Sequence, residues 1–182
     1  NKLFFDIKQI NWLIKKNSWK RKIHIIAPSN WIANCASKSI LFKNQPIKVI
    51  PSAINLDFWK PLDKNKSRKE LNLPLNKKLL LFGAIGGTSD YRKGGDLLFD
   101  ALKILRTKFD DHFLENIELV IFGANDKKNL LKTEFKTHYA GFIKDDKILR
   151  SYYSACDLFI LPSRQDNLPG TGIESHSCGT PV

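Results

Sequence analysis

Apolar residues recur along this chain with two different periods, and the change between them divides it. Near the start, Leu3, Ile7, Ile10, Leu13 and Ile14 fall three or four apart, which predicts a helix over residues 1–22. A short apolar run, Ile23 to Ala27, then reads as a strand closed by Pro28. Ser29 is placed to cap the helix that follows, "NWIANCASKSILF". Ile47 to Ile50 reads as another short strand leading into a turn-rich connector, and residues 65–73 carry a brief helical pattern ended by Pro74.

From residue 78 the alternation becomes regular. "KLLLFGA", "IELVIFGA" and "DLFILPS" are near-continuous apolar runs of strand length, and "THYAGF" is a weaker strand between the last two. Separating them are "GDLLFDALKILRTKF", with Leu98, Ala101, Leu102, Leu105 and Phe109 on one stripe, the helix "KKNLLKTEF", and "DKILRSYYSAC", with Leu149, Tyr152, Tyr153 and Cys156 on one face. "TGIESHSCG" is a further helix. Strands apolar on both faces, alternating with amphipathic helices, predict an α/β fold with a doubly wound parallel sheet. The chain divides on this reading into residues 1–22, a remnant of a preceding domain or a linking helix; 23–77, an inter-domain connection; and 78–182, the sheet domain.

Composition narrows the class. The 182 residues are 42% hydrophobic and 26% charged, an ordinary globular balance, with no apolar run long enough to span a bilayer. There is no methionine, and the ending "TPV" reads as the start of a fifth strand; both suggest a piece of a longer chain, inactive by itself. Cys35 and Cys156 sit in apolar segments and read as small buried side chains. Cys178 is distant from both, so no disulfide framework is expected, and neither spacing nor histidine clustering suggests a metal site. A reduced, cytoplasmic setting follows. The net charge of +12 favours an anionic partner: nucleic acid, an anionic membrane surface or a phosphorylated small molecule. The densest basic run, Lys15 to Lys22 with Trp12 and Trp19 interleaved, fits best as a solvated helix with its aromatic residues turned into a core.

In open α/β sheets ligands bind beyond the carboxyl ends of the strands. "GAIGGTSDYRKGG" offers Gly86 and Gly87 for close backbone approach, and Arg92 and Lys93 as cations beside a helix start. It has neither dinucleotide nor P-loop glycine order. In "DNLPGTGIE", Pro169 and Gly170 turn into a helix whose first amides form an anion site. Asp166 precedes that helix and Glu174 lies within it; two acids around an anion site suit hydroxyl groups better than phosphate.

Together, "VIPSAINLDFWKP", "KGGDLLFDAL", "LVIFGA" and "YYSACDLFILPSRQDNLPGTGIESHSCGTPV" resemble the family 4 glycosyltransferases of the GT-B fold. The family signature is an acid, seven residues, a Glu and then G-x-P-V, matched here by Asp166, Glu174 and "CGTPV". "APSNW…ASKS" is similar to the branch acting on surface polysaccharides. The resemblance implies that residues 78–182 are the Rossmann-like, donor-binding C-terminal half of such an enzyme, truncated at its C-terminus. It implies retaining transfer from a nucleotide-diphosphate-sugar to a glycan or lipid-linked acceptor, without metal or other cofactor, by a front-face mechanism. It places Glu174 on the ribose, Asp166 on the donor sugar, and the backbone of Asn167, Leu168, Pro169 and Gly170 on the diphosphate or sugar. Lys93 neutralises the leaving group, and Phe142 and Ile143 pack the base. The family often has an Arg just after the first strand; here "FGAIGG" stands there and Arg92 is the substitute on offer. Peripheral contact with the inner face of an anionic membrane is expected, and nucleic acid is not. The alternatives are a nucleotide-sugar epimerase of the same architecture and a basic nucleic-acid-binding domain.

Overall fold

The computed structural model describes residues 7–19, 21–83, 90–123 and 133–182. Residues 1–53 and 54–182 form two compact units.

In the first unit, helix α1 (Ile7–Ser18) precedes strand β1 (Ile25–Ala27), helix α2 (Asn30–Lys38) and strand β2 (Ile47–Val49). β1 and β2 pair in parallel, Ile25 opposite Ile47, with α2 as the crossover. Ser29 caps α2 as its position predicts, its Oγ accepting the Ile32 N–H at 3.3 Å. Two expectations fail here. Cys35 is exposed, and α1 has no buried residue among those described. A cation and a second ring meet the tryptophans instead of a core: Lys16 lies 5.0 Å from the Trp12 ring centre, and Trp19, just past α1, stacks on Phe42 at 5.2 Å.

The second unit is built on a four-stranded sheet. Its elements are helix α3 (Lys64–Glu70), strand β3 (Lys78–Gly83), helix α4 (Gly95–Lys108), helix α5 (Asp111–Leu114) and strand β4 (Ile117–Phe122). Strand β5 (Thr137–Gly141), helix α6 (Asp146–Ala155), strand β6 (Leu158–Phe159) and helix α7 (Gly170–Ser177) follow. The strand order is β5-β4-β3-β6 and every pairing is parallel. Alternation along the two long strands feeds two cores. Leu79, Leu81, Val120 and Phe122 pack with Tyr153 of α6 and Phe159, while Phe82, Leu119 and Ile121 pack with Leu98, Phe99 and Leu102 of α4. Both faces are covered, and the sheet is doubly wound, as the near-continuous apolar strands require.

The differences from expectation are local. On α4, Ala101 and Phe109 are exposed and Phe99 takes the core position, so the buried stripe is rotated by part of a turn. Phe109 stacks on Phe113 of the unpredicted helix α5 at 4.7 Å. β6 has two ladder residues where seven were expected; Ile160 still donates to Leu81 O at 2.8 Å, but Pro162 has no N–H to carry the ladder further. The helix expected over 127–135 lies outside the described residues except for its last three, which are not helical. Among the described residues no helix is long and apolar enough to cross a membrane.

A buried ion pair fastens α3 to this sheet. The Arg68 guanidinium, its side chain 4% exposed, meets Asp157 Oδ2 at 2.8 Å and donates to the carbonyls of Ala155, Leu75 and Lys77. The same carboxylate oxygen accepts the Leu79 N–H at 2.8 Å, and Lys64 binds its other oxygen. Burial alone would raise the Asp157 carboxyl; the Leu79 N–H, Lys64 and Arg68 outweigh it and hold the group below its ordinary value. A depressed carboxyl stabilises the fold at neutral pH and loses that contribution as pH falls through its folded pKa. Arg68→Ala leaves a partly buried carboxylate and three carbonyls without this partner, and should cost about 3–5 kcal/mol. Thermal unfolding at neutral pH measures this, and the loss should shrink in acid, where Asp157 is neutral.

Candidate active site

The order β5-β4-β3-β6 means that the chain leaves β3 in one direction and later returns to its other side. Loops after β3 and β6 therefore meet at one point on the carboxyl edge, the position where such sheets form a ligand crevice. A 3-10 turn, Tyr91–Lys93, ends the loop after β3, with Asp90 capping it through the Arg92 N–H at 3.0 Å. Gly94 follows with φ +68°, and a Cβ there would stand 2.1 Å from the Pro162 carbonyl oxygen. Only glycine allows both that backbone and that approach.

Across this joint, Lys93 Nζ lies 2.6 Å from Asp166 Oδ2. Both side chains are about three-quarters buried. The structure thus brings two sequence-predicted residues, 73 positions apart, into direct contact. Asp166 also accepts the Asn167 N–H through Oδ1 at 3.0 Å, so that amide is already engaged. α7 begins just beyond. Pro169 caps it without a side-chain hydrogen bond, and the first bond to its carbonyl comes from Gly172 N–H at 3.0 Å. The Gly170 and Thr171 amides lie ahead of that bond, at the positive end of the helix dipole. Leu168 is half-buried between the acid and the cap.

Glu174 sits one turn into α7 and reaches back along it, as helical side chains do. Its Oε1 comes within 3.8 Å of where a Cβ on Gly170 would stand, while Oε2 accepts the Tyr153 hydroxyl at 3.0 Å. Tyr153 is wholly buried. Burial is the main reason the Glu174 carboxyl is raised; the Tyr153 bond opposes it and the negative charge of Asp146 adds to it.

The other candidates stand differently. Arg92 is mostly exposed and folds onto Asp90 at 2.8 Å. Phe142 is exposed, whereas Ile143 packs against the core that contains Tyr153. Gly86 and Gly87 lie outside the described residues. Two residues of this joint were not singled out from sequence. The Ser163 hydroxyl is buried with no hydrogen-bond partner among the described residues, and Arg164 bonds to both the turn and α4. An Arg two positions before an acid in a loop carries no periodicity, so only the paired Asp96 across the joint reveals it. At the opposite, amino end of the sheet is a cleft of 590 Å³ in which Arg106 pairs with Asp111 and Glu134, Lys136 pairs with Glu118, and Lys77 bonds a backbone carbonyl. Among the described residues no three His, Cys, Asp or Glu side chains cluster as metal ligands would.

The family model described as glycosyl transferases group 1 matches residues 77–182. The chain belongs to this family. Among the similar proteins, a Klebsiella pneumoniae 41.2 kDa protein in a cps region is 25% identical, the match covering 100% of this chain and 51% of that protein. D-inositol 3-phosphate glycosyltransferase of Streptosporangium roseum is 26% identical over 75% of this chain and 33% of the enzyme. The chain thus spans from a third to about half of these relatives. Among solved structures, sucrose-phosphate synthase from Thermosynechococcus elongatus superposes with TM-score 0.69 and 21% identity, covering 96% of this chain and 43% of that one. Anabaena HepE in complex with UDP and glucose gives TM-score 0.65 and 20% identity, covering 96% of this chain and 47% of that one. At these identities the likeness shows the fold.

The raised Glu174 carboxyl yields a pH signature. Between its ordinary and its raised value the folded form holds more protons than the unfolded one, so stability falls as pH rises through that window. Glu174→Gln keeps an acceptor for Tyr153 and removes the charge. Its melting temperature should exceed that of the wild type at pH 7, and the two should converge below the ordinary carboxylate range.

Proposed function

We propose that the intact protein transfers a sugar from a nucleotide-diphosphate-sugar donor, with retention of anomeric configuration, in the manner of the family 4 enzymes. The observation that carries this is the Lys93–Asp166 contact at the switch point, beside the start of α7 and Glu174. A diphosphate there meets Lys93 and the Gly170 and Thr171 amides, which stabilise the negative charge that grows as the sugar–phosphate bond breaks. Asp166 accepts from a hydroxyl of the donor sugar, and Glu174 from the ribose hydroxyls through the oxygen that Tyr153 does not occupy. In the front-face course, the acceptor hydroxyl forms its bond to the anomeric carbon on the side the diphosphate leaves, and its proton passes to the departing phosphate. Lys93 and the helix amides supply the counter-charge in this reading, so no metal is called for. Phe142 offers an exposed face for the base, and Ile143 backs it from the core side.

Relatives in carbohydrate synthesis support the donor class, and the cps-region relative favours a glycan or lipid-linked acceptor in surface polysaccharide synthesis. In the intact protein, Lys93→Ala and Glu174→Ala should each reduce turnover of the donor at least a hundred-fold, and EDTA should leave wild-type turnover unchanged. Wild-type turnover in both variants sinks the reading. Isomerisation of the donor without acceptor would instead identify an epimerase.

A cytoplasmic protein acting on lipid-linked acceptors would work at the inner face of the membrane, and the net charge of +12 suits that surface. Co-sedimentation with vesicles containing phosphatidylglycerol should exceed that with phosphatidylcholine alone and fade with salt. Equal binding to both would remove the membrane from the proposal.

A further inference from the structure

Arg164 lies between the two halves of the crevice without being one of its ligand-facing groups. Its backbone N–H donates to Arg92 O at 2.9 Å. Its guanidinium donates to Tyr91 O at 2.9 Å and grips the Asp96 carboxylate with both nitrogens, at 2.7 and 2.5 Å. The Tyr91 ring covers the guanidinium, 3.9 Å from ring centre to its carbon. Two carbonyls of the three-residue turn that ends in Lys93 are therefore held by one residue. Asp166 follows two positions later and binds Lys93 Nζ. The contacts close a ring: turn carbonyls, Arg164, Asp166, Lys93 and back to the turn. Asp96, in the first turn of α4, anchors that ring to a rigid element.

We infer that Arg164, with Asp96, is a positioning residue that sets where Lys93 stands for an incoming diphosphate; this rests on the donor reading above. Its place argues for geometry over stability. The Arg164 side chain is one-quarter exposed and that of Asp96 half exposed, so the pair is a surface ion pair of the kind that adds little to folding. What the planar fork adds is direction: two parallel bonds fix the guanidinium plane, which a point charge would not do. A misplaced cation loses much of its effect on a phosphate over a fraction of an ångström to an ångström.

The test is a double-mutant cycle in the intact protein. UDP, GDP and ADP are screened by thermal shift, and the nucleotide that stabilises the wild type most is taken as the probe. Its affinity is then measured in Arg164→Ala, Lys93→Ala and the double variant. Arg164→Ala alone should weaken binding about ten-fold or more, while its own melting temperature stays within about 3 °C of the wild type. In the Lys93→Ala background the same change should cost nothing further, because the residue it positions is gone. Asp96→Asn, which keeps the fold of the loop but loses the charged fork, should reproduce the loss. Losses that multiply in the double variant would overturn the inference, as would wild-type affinity in either Arg164→Ala or Asp96→Asn. Wild-type affinity in Lys93→Ala, or no stabilisation by any nucleotide, would overturn the donor reading itself and the positioning role with it.

Discussion

The sheet of the second unit depends on how β6 is held against β3. That pairing has a ladder of only two residue pairs, Leu80 with Leu158 and Leu81 with Phe159, against six between β3 and β4. Two pairs fix little register by themselves. Contacts at both ends of the short strand make up the difference. At the amino end, Asp157 accepts the Leu79 N–H while it is gripped by Arg68 and Lys64. At the carboxyl end, Pro162 O packs against Gly94, and the backbone N–H of Arg164 bonds to Arg92 O in the turn before α4. A polar clamp at each end does for this strand what a long ladder does for its neighbours.

The same constraint makes the crevice. Because β6 joins β3 on the side away from β4, the loops leaving the two strands meet beside the switch point, and α4 and α7 both begin at that edge. One amino-end clamp is buried and mainly structural, since Arg68 reaches nothing outside the fold. The carboxyl-end clamp is nearer solvent and ends in a lysine and an aspartate that face each other. Both side chains keep about a quarter of their surface exposed, which leaves them within reach of a polar ligand. In the amino-end cleft, Arg106 and Lys136 are paired with neighbouring carboxylates and Lys77 with a backbone carbonyl.

How far this was legible from sequence follows from range. The strands of the sheet are apolar on both faces and announce themselves; the parallel, doubly wound sheet and the turn into α7 could be reasoned from the sequence, while the strand order and the switch point could not. The Asp166–Glu174 spacing and Lys93 could be named from the family resemblance. What could not be read was set by contacts between distant residues. Arg68 looks like one more cation in a lysine-rich helix until Asp157, 89 positions away, meets it. Arg164 is the same case with Asp96. Phe99 displaced Ala101 and Phe109 from the α4 stripe because the helix docks on β3 and β4 at a rotation that periodicity cannot specify. The length of β6 was overestimated because an apolar run shows what is buried, and does not show which amides find a ladder partner. Trp12 and Trp19 read as core residues in the sequence, but neighbouring lysines and Phe42 meet them instead.

Two residues reach the crevice by opposite routes, and their difference explains how the edge can be both firm and polar. Tyr153 comes from inside. Its ring is wedged among Trp59, Phe122 and Phe159, with centres 5.7 to 6.2 Å away, so its hydroxyl has little freedom. Glu174 is thereby tied to the core by the Tyr153 hydroxyl. Its raised carboxyl records the cost of holding a charge beside that apolar cluster. Arg164 comes from outside and holds the opposite wall by backbone carbonyls and a surface carboxylate, with little burial to reinforce it. One wall is therefore fixed by packing and the other by hydrogen-bond direction. A ligand that bridges them would find the Glu174 side set in advance, while the Lys93 side keeps the small compliance of a surface loop.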